Sequence, residues 1–465
     1  MKIFKHNYYQ VILTLIIVAM TCSCDKQNDW LDIKSNKASV VPETIKDFQA
    51  ILDNTTIMNG QFSSAGLVGA DNIYINDTNL GTLTESERNL YTWNKQVWQG
   101  GLSYDWNFFY SKIEFANIAI EGLGKINVSE LGYDNLKGQA YFHRAMAYYN
   151  LAQLFCKPYN PATATSDLGL PIRKTSDVNI LVQRSSLKEL YNLIIADGLT
   201  AERLLNESQT YLQRPSKSAA QALIAKIYFI MGDYVNTVKY TDLVIANHNT
   251  LLDYNNSSLV SSAFAYKFPP DGKNNPEILF FAKGDMYSSL NALLSSPGYV
   301  NPDLYQTYDG NDLRKSTLYG GTGTYKNLVA SYTGSYTPFC GLAINETYLI
   351  RAESKAREGD KDGALKDLNT LLVKRFKTGT FTDLNTADAE GALRLILMER
   401  RKELPEVGNL RWEDLRRLNG DTRFQTTIKR TVNNVVIELP PNDPRYVLPI
   451  PDQEIQISGL EQNPR

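Results

Sequence analysis

The chain has 465 residues, with 48 basic and 50 acidic side chains and a formal charge of -2. That balance excludes a strong global field for nucleic acid or an anionic membrane. Its four cysteines include no C-x-x-C pair and its three histidines (His6, His143, His248) no zinc spacing, so structural zinc is not expected; no metal site or cofactor is assigned, and calcium is left open.

Lys2 and Lys5 precede an apolar run at residues 11–20, the length of a signal peptide and short for a membrane span. The run ends at Thr21-Cys22-Ser23-Cys24-Asp25. A small residue before a cysteine at this point resembles a bacterial lipobox. Residues 1–23 are therefore expected to be a lipoprotein signal peptide and Cys24 the lipidated first residue of the mature chain. Thr21 stands where Leu is usual, which keeps Cys22 as an alternative and an ordinary secretory signal as another. Acylation anchors a chain by about 0.8 kcal/mol per buried methylene. Residues 24–36 are polar and read as a tether. Cys156 and Cys340 remain, free or paired.

Residues 43–53 read as a first helix, with Ile45, Phe48, Ile51 and Leu52 on one face. Residues 54–94 are rich in Gly, Asn, Asp, Ser and Thr and keep no helical period, so they read as a long functional loop. Residues 95–123 predict a helix striped by Trp106, Phe109, Tyr110 and Ile113, with a break at Gly100-Gly101. Residues 129–155 follow, with Ala145, Tyr148, Tyr149 and Ala152 at helical spacing; Pro158, Pro161 and Pro171 then mark an extended loop. Residues 187–205 predict another amphipathic helix.

Residues 218–247 and 344–376 each predict two helices joined at a Gly-Asp break, Gly232-Asp233 and Gly359-Asp360. In both, an alanine (Ala225, Ala352) stands seven residues before the glycine. Arg144-Ala145 echoes Arg351-Ala352. Small residues on one helix let the next pack close, the logic of a tetratricopeptide (TPR) hairpin array.

Between the hairpins, residues 251–341 are rich in Ser, Gly, Asn, Pro and Tyr, with a short strand expected at 277–282. Among the aromatics that fall there are Tyr266, Phe268, Tyr287, Tyr299, Tyr305, Tyr308, Tyr319, Tyr325, Tyr332 and Tyr336. Half or more should pack this insertion onto the helices. Residues 387–404 and 411–418 are helical. Opposite charges one turn apart in Glu399-Arg400-Arg401-Lys402-Glu403 fit a solvated face or an ion-pair network, with Glu399 and Arg411 as expected partners. Asp312 and Arg314 read as structural. Trp412, Leu415 and Leu418 share one helix face. Residues 433–437 suggest part of a strand pair, and the tail is extended with one short helical turn. The fold class is mainly α: a TPR-like helical hairpin array (about 95–250 and 344–418) with a large irregular loop-rich insertion and minor β. Residues 37–465 are expected to form a single domain, with its ligand side in the irregular segments 54–94 and 251–341.

Several stretches, in this order and spacing, carry a family resemblance: WLDI at 30–33, HRAMAYYNLAQLF at 143–155, RAESKAREGD at 351–360, LNTLLVKR at 368–375, MERRKEL at 398–404, RWEDLRRL at 411–418, LPIPDQEI at 448–455 and the terminal QNP. The chain resembles the SusD/RagB family, cell-surface lipoproteins of Bacteroidetes. Pro405-Glu406-Val407-Gly408 departs from the usual aromatic-Glu-Gly run. The resemblance implies a lipid-anchored, surface-exposed outer-membrane protein. Its TPR-like side would contact a SusC-like TonB-dependent transporter, and its irregular side would hold a nutrient. Glycans are the commonest ligands; RagB-type relatives work with peptides. A TPR-type scaffold with no nutrient ligand is the third reading.

Sugar binding needs flat aromatic faces and planar polar side chains. Trp93 and Trp98 with Asn72, Asn76 and Asn94 make one candidate cluster, beside Tyr74; Tyr266, Tyr287 and Tyr299 with Asn291 make another. Packing in the core is the competing role for each ring. No G-x-S-x-G, H-E-x-x-H or phosphate-binding glycine loop is present, and no stretch isolates two carboxylates in an apolar setting, so an enzyme is not expected.

Overall fold

In the two predicted hairpins a glycine and an aspartate make the turn. The computed structural model describes residues 42–284 and 287–465; the expected signal peptide, Cys24, the tether and WLDI lie outside them. In the unit Ile45–Arg465 the principal helices are α1 (Ile45–Leu52), α2 (Tyr104–Leu123), α3 (Tyr133–Phe155), α4 (Leu187–Leu204), α5 (Lys217–Met231), α6 (Tyr234–Asn247), α7 (Ile344–Arg357), α8 (Lys361–Leu372), α9 (Ala389–Glu403), α10 (Leu410–Leu418) and α11 (Asp452–Ser458). Gly232 (φ 78°) closes α5 and Gly359 (φ 88°) follows α7, both in the left-handed region open to glycine. The next residue caps the following helix. Asp233 accepts from the Asn236 N–H at 3.0 Å, and Asp360 from the Gly363 N–H at 2.9 Å.

From α1 to α8 each helix packs on the next, α6 on α7 included, so the insertion leaves the array continuous; α9 packs on α7 and α8. Ala145, Ala352 and Ala364 are fully buried, which lets helix axes approach. The Arg-Ala echo is a clamp as well. Arg144 donates to both carboxylate oxygens of Asp197 on α4 at 2.7 and 2.8 Å, and Arg351 does the same to Asp367 on α8 at 2.8 and 2.6 Å.

Among the described residues the strands are β1 (Ile73–Tyr74), β2 (Leu168–Pro171), β3 (Arg184–Ser186), β4 (Ile278–Phe280), β5 (Tyr299–Val300), β6 (Tyr319–Gly320), β7 (Asn327–Leu328), β8 (Leu342–Ala343), β9 (Ile428–Val432) and β10 (Val435–Leu439). They form antiparallel pairs β1–β5, β2–β3, β4–β8, β6–β7 and β9–β10. The insertion builds a satellite core of its own from Leu252, Tyr254, Phe268, Leu304, Tyr308 and Tyr319, with Tyr266, Tyr305 and Tyr332 packed on it. Some of its tyrosines also reach the helices: Tyr308 donates to the Lys402 carbonyl on α9 at 2.7 Å, and Tyr287 belongs to the main core.

Two fully buried arginines tie that insertion to the array. Arg314 donates to Asp312 (2.9 and 2.6 Å), Glu399 (2.6 Å) and Glu403 (3.1 Å). Arg375 donates to Glu277 and Glu403, each at 2.7 Å. Burial opposes ionisation of Glu403, but Arg375 and Arg314 outweigh it and hold the carboxyl below its usual range. Asp312 and Arg314 are structural, as expected, and the charged run on α9 is an ion-pair network. The expected Glu399–Arg411 pair does not form. Glu399 pairs with Arg314 and Lys402, and Arg411 clamps Asp71 at 2.6 and 2.8 Å.

Segment 54–94 is more regular than its composition suggests, with short helices at Thr55–Met58, Ala65–Gly69, Asp77–Leu80 and Glu85–Tyr91. Its polar residues are caps: Asn76 accepts from the Asn79 N–H at 2.8 Å and Thr84 from the Glu87 N–H at 3.3 Å. Ala65–Gly69 runs under Trp412, where a Cβ on Gly66 would sit 2.8 Å from the indole. The helix expected from residue 95 begins at Tyr104, because Gly100 turns left-handed (φ 77°) and Ser103 supplies the cap. Cys156 and Cys340 are both free and buried.

Candidate functional site

Pairing of β1 with β5 sets Tyr74 directly opposite Tyr299. The loop between β6 and β7 adds Tyr325, and the Val300 N–H, donating to the Lys326 carbonyl at 2.8 Å, ties that loop to β5. Lys326 donates back to the carbonyls of Gly321 and Gly323 at 2.7 and 2.9 Å, which fixes the loop's curl. The three rings lie within about 30° of parallel: Tyr74–Tyr325 at 4.6 Å and 29°, Tyr299–Tyr325 at 5.4 Å and 34°, Tyr74–Tyr299 at 6.4 Å and 31°. Tyr74 and Tyr299 are half-buried and Tyr325 is 37% exposed.

Polar groups edge this platform. Asn79 donates to the Tyr299 hydroxyl at 3.3 Å and to the Pro297 carbonyl at 2.9 Å. Asn76 and Asp77 lie on the adjoining turn, and Asp77 accepts from the Asn433 N–H at 3.0 Å, bringing the β9–β10 turn alongside. Thr322 and Thr324 are exposed. The hydrogen bond to Tyr325, then burial, pushes the Tyr74 phenol up to about 12. It therefore stays a neutral hydroxyl at any physiological pH. Nearly parallel rings, Tyr325 stacked against Tyr74, with hydroxyl and amide rims offer an outer apolar face and hydrogen bonds at its edge.

The other residues expected at a site are placed elsewhere. Asn72 is 1% exposed; it donates to the Pro405 carbonyl at 2.7 Å and accepts from Arg401 at 2.8 Å. Trp93 is 2% exposed and donates to the Gly69 carbonyl at 2.9 Å. Trp98 is buried and donates to the Pro449 carbonyl at 2.7 Å. Tyr287 is buried and donates to Asp105. Tyr266 packs on the satellite core. Asn94 donates to Asn89 at 3.2 Å. Of the two expected clusters the fold thus brings together one member pair, Tyr74 and Tyr299, with Asn76 beside them. Sequence reasoning missed Tyr325 and Asn79. Gly-Thr-Gly-Thr-Tyr between two strand-forming stretches was the signal for Tyr325, since such a loop carries its aromatic into solvent.

Among the described residues, no group of three or more His, Cys, Asp or Glu could hold a metal ion, and no helix is long and apolar enough to cross a membrane.

Comparison with known proteins covers both halves of the chain. A family model described as "Starch-binding associating with outer membrane" matches residues 29–229, and the "SusD family" model matches residues 282–465. The chain is 25% identical to SusD-like protein P2 of Formosa agariphila over 98% of this chain and 97% of that protein. Among solved structures it resembles a putative sugar binding protein from Bacteroides vulgatus (TM-score 0.73, 22% identity, 91% of this chain and 99% of that one). It also resembles a laminarin binding SusD-like protein (TM-score 0.63, 18% identity, 90% and 97%). Two models of one family account for the two ends of the chain, and the helical array with its loop-rich insertion matches solved SusD-like folds along nearly its whole length; the protein belongs to the SusD/RagB family.

Proposed function

We propose that this protein is a non-catalytic binding lipoprotein of the outer membrane that holds a glycan on the Tyr74–Tyr299–Tyr325 platform and passes it to a SusC-like TonB-dependent transporter. The platform carries the reading: three nearly parallel rings, one well exposed, with amide and hydroxyl groups at their rim. A sugar ring presents C–H groups on its face and hydroxyls on its edge, which matches that order of apolar and polar surface. The sugar- and laminarin-binding neighbours support the ligand class. The lipobox-like Thr21–Asp25 supports anchoring through Cys24. Isothermal titration against starch and laminarin oligosaccharides, with a peptide library alongside, tests the ligand. Binding of a glycan that weakens about tenfold on Tyr325→Ala supports the reading, and binding of peptides alone overturns it in favour of a RagB-like role. Absence of label on Cys24→Ala after growth with a palmitate analogue, with label on the wild type, tests the anchor.

A further inference from the structure

A second concavity lies on different elements. It is a groove of about 400 Å³ between α2, the stretch at residues 171–182 and α11, and it shares no lining residue with the tyrosine platform. A volume in this range holds a small ligand rather than a few waters. The Gly100 N–H, donating to Asp452 at 2.7 Å, holds α11 in place as one wall.

The lining is ordered by chemistry. Trp106 and Tyr110 form the floor, rings 4.8 Å apart. Trp106 is 3% exposed, and among the described residues none accepts a hydrogen bond from its indole N–H. The N–H keeps some solvent access, so it can donate to water or to a ligand in the groove. Asn107, Ser111 and Glu114 follow one another along α2, and Glu454 faces the groove from α11. All four are half-buried, and none of their side chains has a hydrogen-bond or ion-pair partner among the described residues. The opposite wall is mixed: Val178 and Leu181, 61% and 65% exposed, stand beside Thr175 and Ser176. Arg173 lines the groove too, and donates to the Asp177 carbonyl at 2.7 Å.

We infer that this groove is a second carbohydrate-binding site, one that takes a neutral sugar unit and rejects acidic ones. The inference rests on the carbohydrate reading of the family fold, but not on the platform. Val178, Leu181 and an aromatic floor suit the C–H face of a pyranose. A row of amide, hydroxyl and carboxylate groups suits vicinal hydroxyls, with the indole N–H donating to a ring or hydroxyl oxygen. Glu114 and Glu454 outnumber Arg173, so a uronate or sulfate would meet repulsion and unpaired charge.

Trp106 makes the site observable. The full chain is titrated with maltohexaose, laminarihexaose and tetragalacturonate, following tryptophan fluorescence, for wild type, Tyr325→Ala, Ser111→Trp and Glu114→Lys. The expected result is a fluorescence response to a neutral hexaose that persists in Tyr325→Ala. The response weakens tenfold or more in Ser111→Trp and Glu114→Lys, both melting near the wild-type temperature, and tetragalacturonate gives none. A response abolished by Tyr325→Ala and kept in both groove variants overturns this site and leaves the platform standing. No response to either neutral hexaose, with titration calorimetry also showing no binding, overturns both. A tetragalacturonate response equal to the neutral one overturns the charge selection.

Discussion

Tyr325→Ala is the most informative single change, because the exposed ring serves ligand more than fold. The ring contacts Tyr74 at 4.6 Å and Tyr299 at 5.4 Å. A well-buried aromatic pair contributes about 0.5–1.5 kcal/mol beyond its area. With 37% of Tyr325 already in water, losing both contacts should cost about 1 kcal/mol in total. A 1 kcal/mol loss moves the melting temperature of a 150–250-residue protein by about 2–4 °C, and less for a longer chain. A sugar ring stacked on the platform loses its exposed edge, and a contact of about 1.4 kcal/mol corresponds to tenfold in affinity. The expected outcome is a tenfold weaker Kd for the glycan found by titration, with a melting temperature within about 2 °C of wild type. Trp93→Ala is the contrast: its ring is in the core and hydrogen-bonded to Gly69, so it should lower stability by about 3–5 kcal/mol. An unchanged Kd in a folded Tyr325→Ala protein would remove the platform from the ligand site.

Three further outcomes follow from buried charge. Arg144→Ala leaves Asp197 buried and unpaired across the α3–α4 contact, which should cost about 3–5 kcal/mol by denaturant melt; adding Asp197→Leu should restore part of it. Burial, and then Lys112, lowers His143 to about 3. Its neutral form is the folded one, so its contribution is complete above the unfolded value near 6.5 and is lost as pH falls from there towards 3. His143→Phe should flatten the stability profile over that window. Burial pushes the Glu406 carboxyl, which has no partner among the described residues, up to about 8. Wild type should therefore lose stability as pH rises from about 4.5 to 8, and Glu406→Gln should be the more stable protein at pH 8 and lose that slope.

The helical array was legible because its cues are local. Gly232-Asp233 and Gly359-Asp360 state a left-handed stop and a cap within two residues, and the alanines beside Arg144 and Arg351 mark close packing at helical spacing. The motifs that place the chain in its family are local too, and both family matches confirm that placement. The site was less legible. Trp93 and Tyr74 lie in one polar stretch and look alike as sequence, but one indole is closed under Ala65–Gly69 and the other ring stands at a strand edge. Exposure of an aromatic depends on what covers it, and here the covering elements come from far along the chain: Trp98 meets Pro449, Asn72 meets Arg401, Tyr74 meets Tyr299 and Tyr325. Glu399 and Arg411 failed as a pair for the same reason, since Arg314 and Asp71 reach them from the insertion and from the first loop. Helix turns, the array and the family can be read from neighbouring residues, where each of them is written. Which tyrosines face solvent and which charges meet depends on the packed chain, because burial and pairing join residues from tens to hundreds of positions apart.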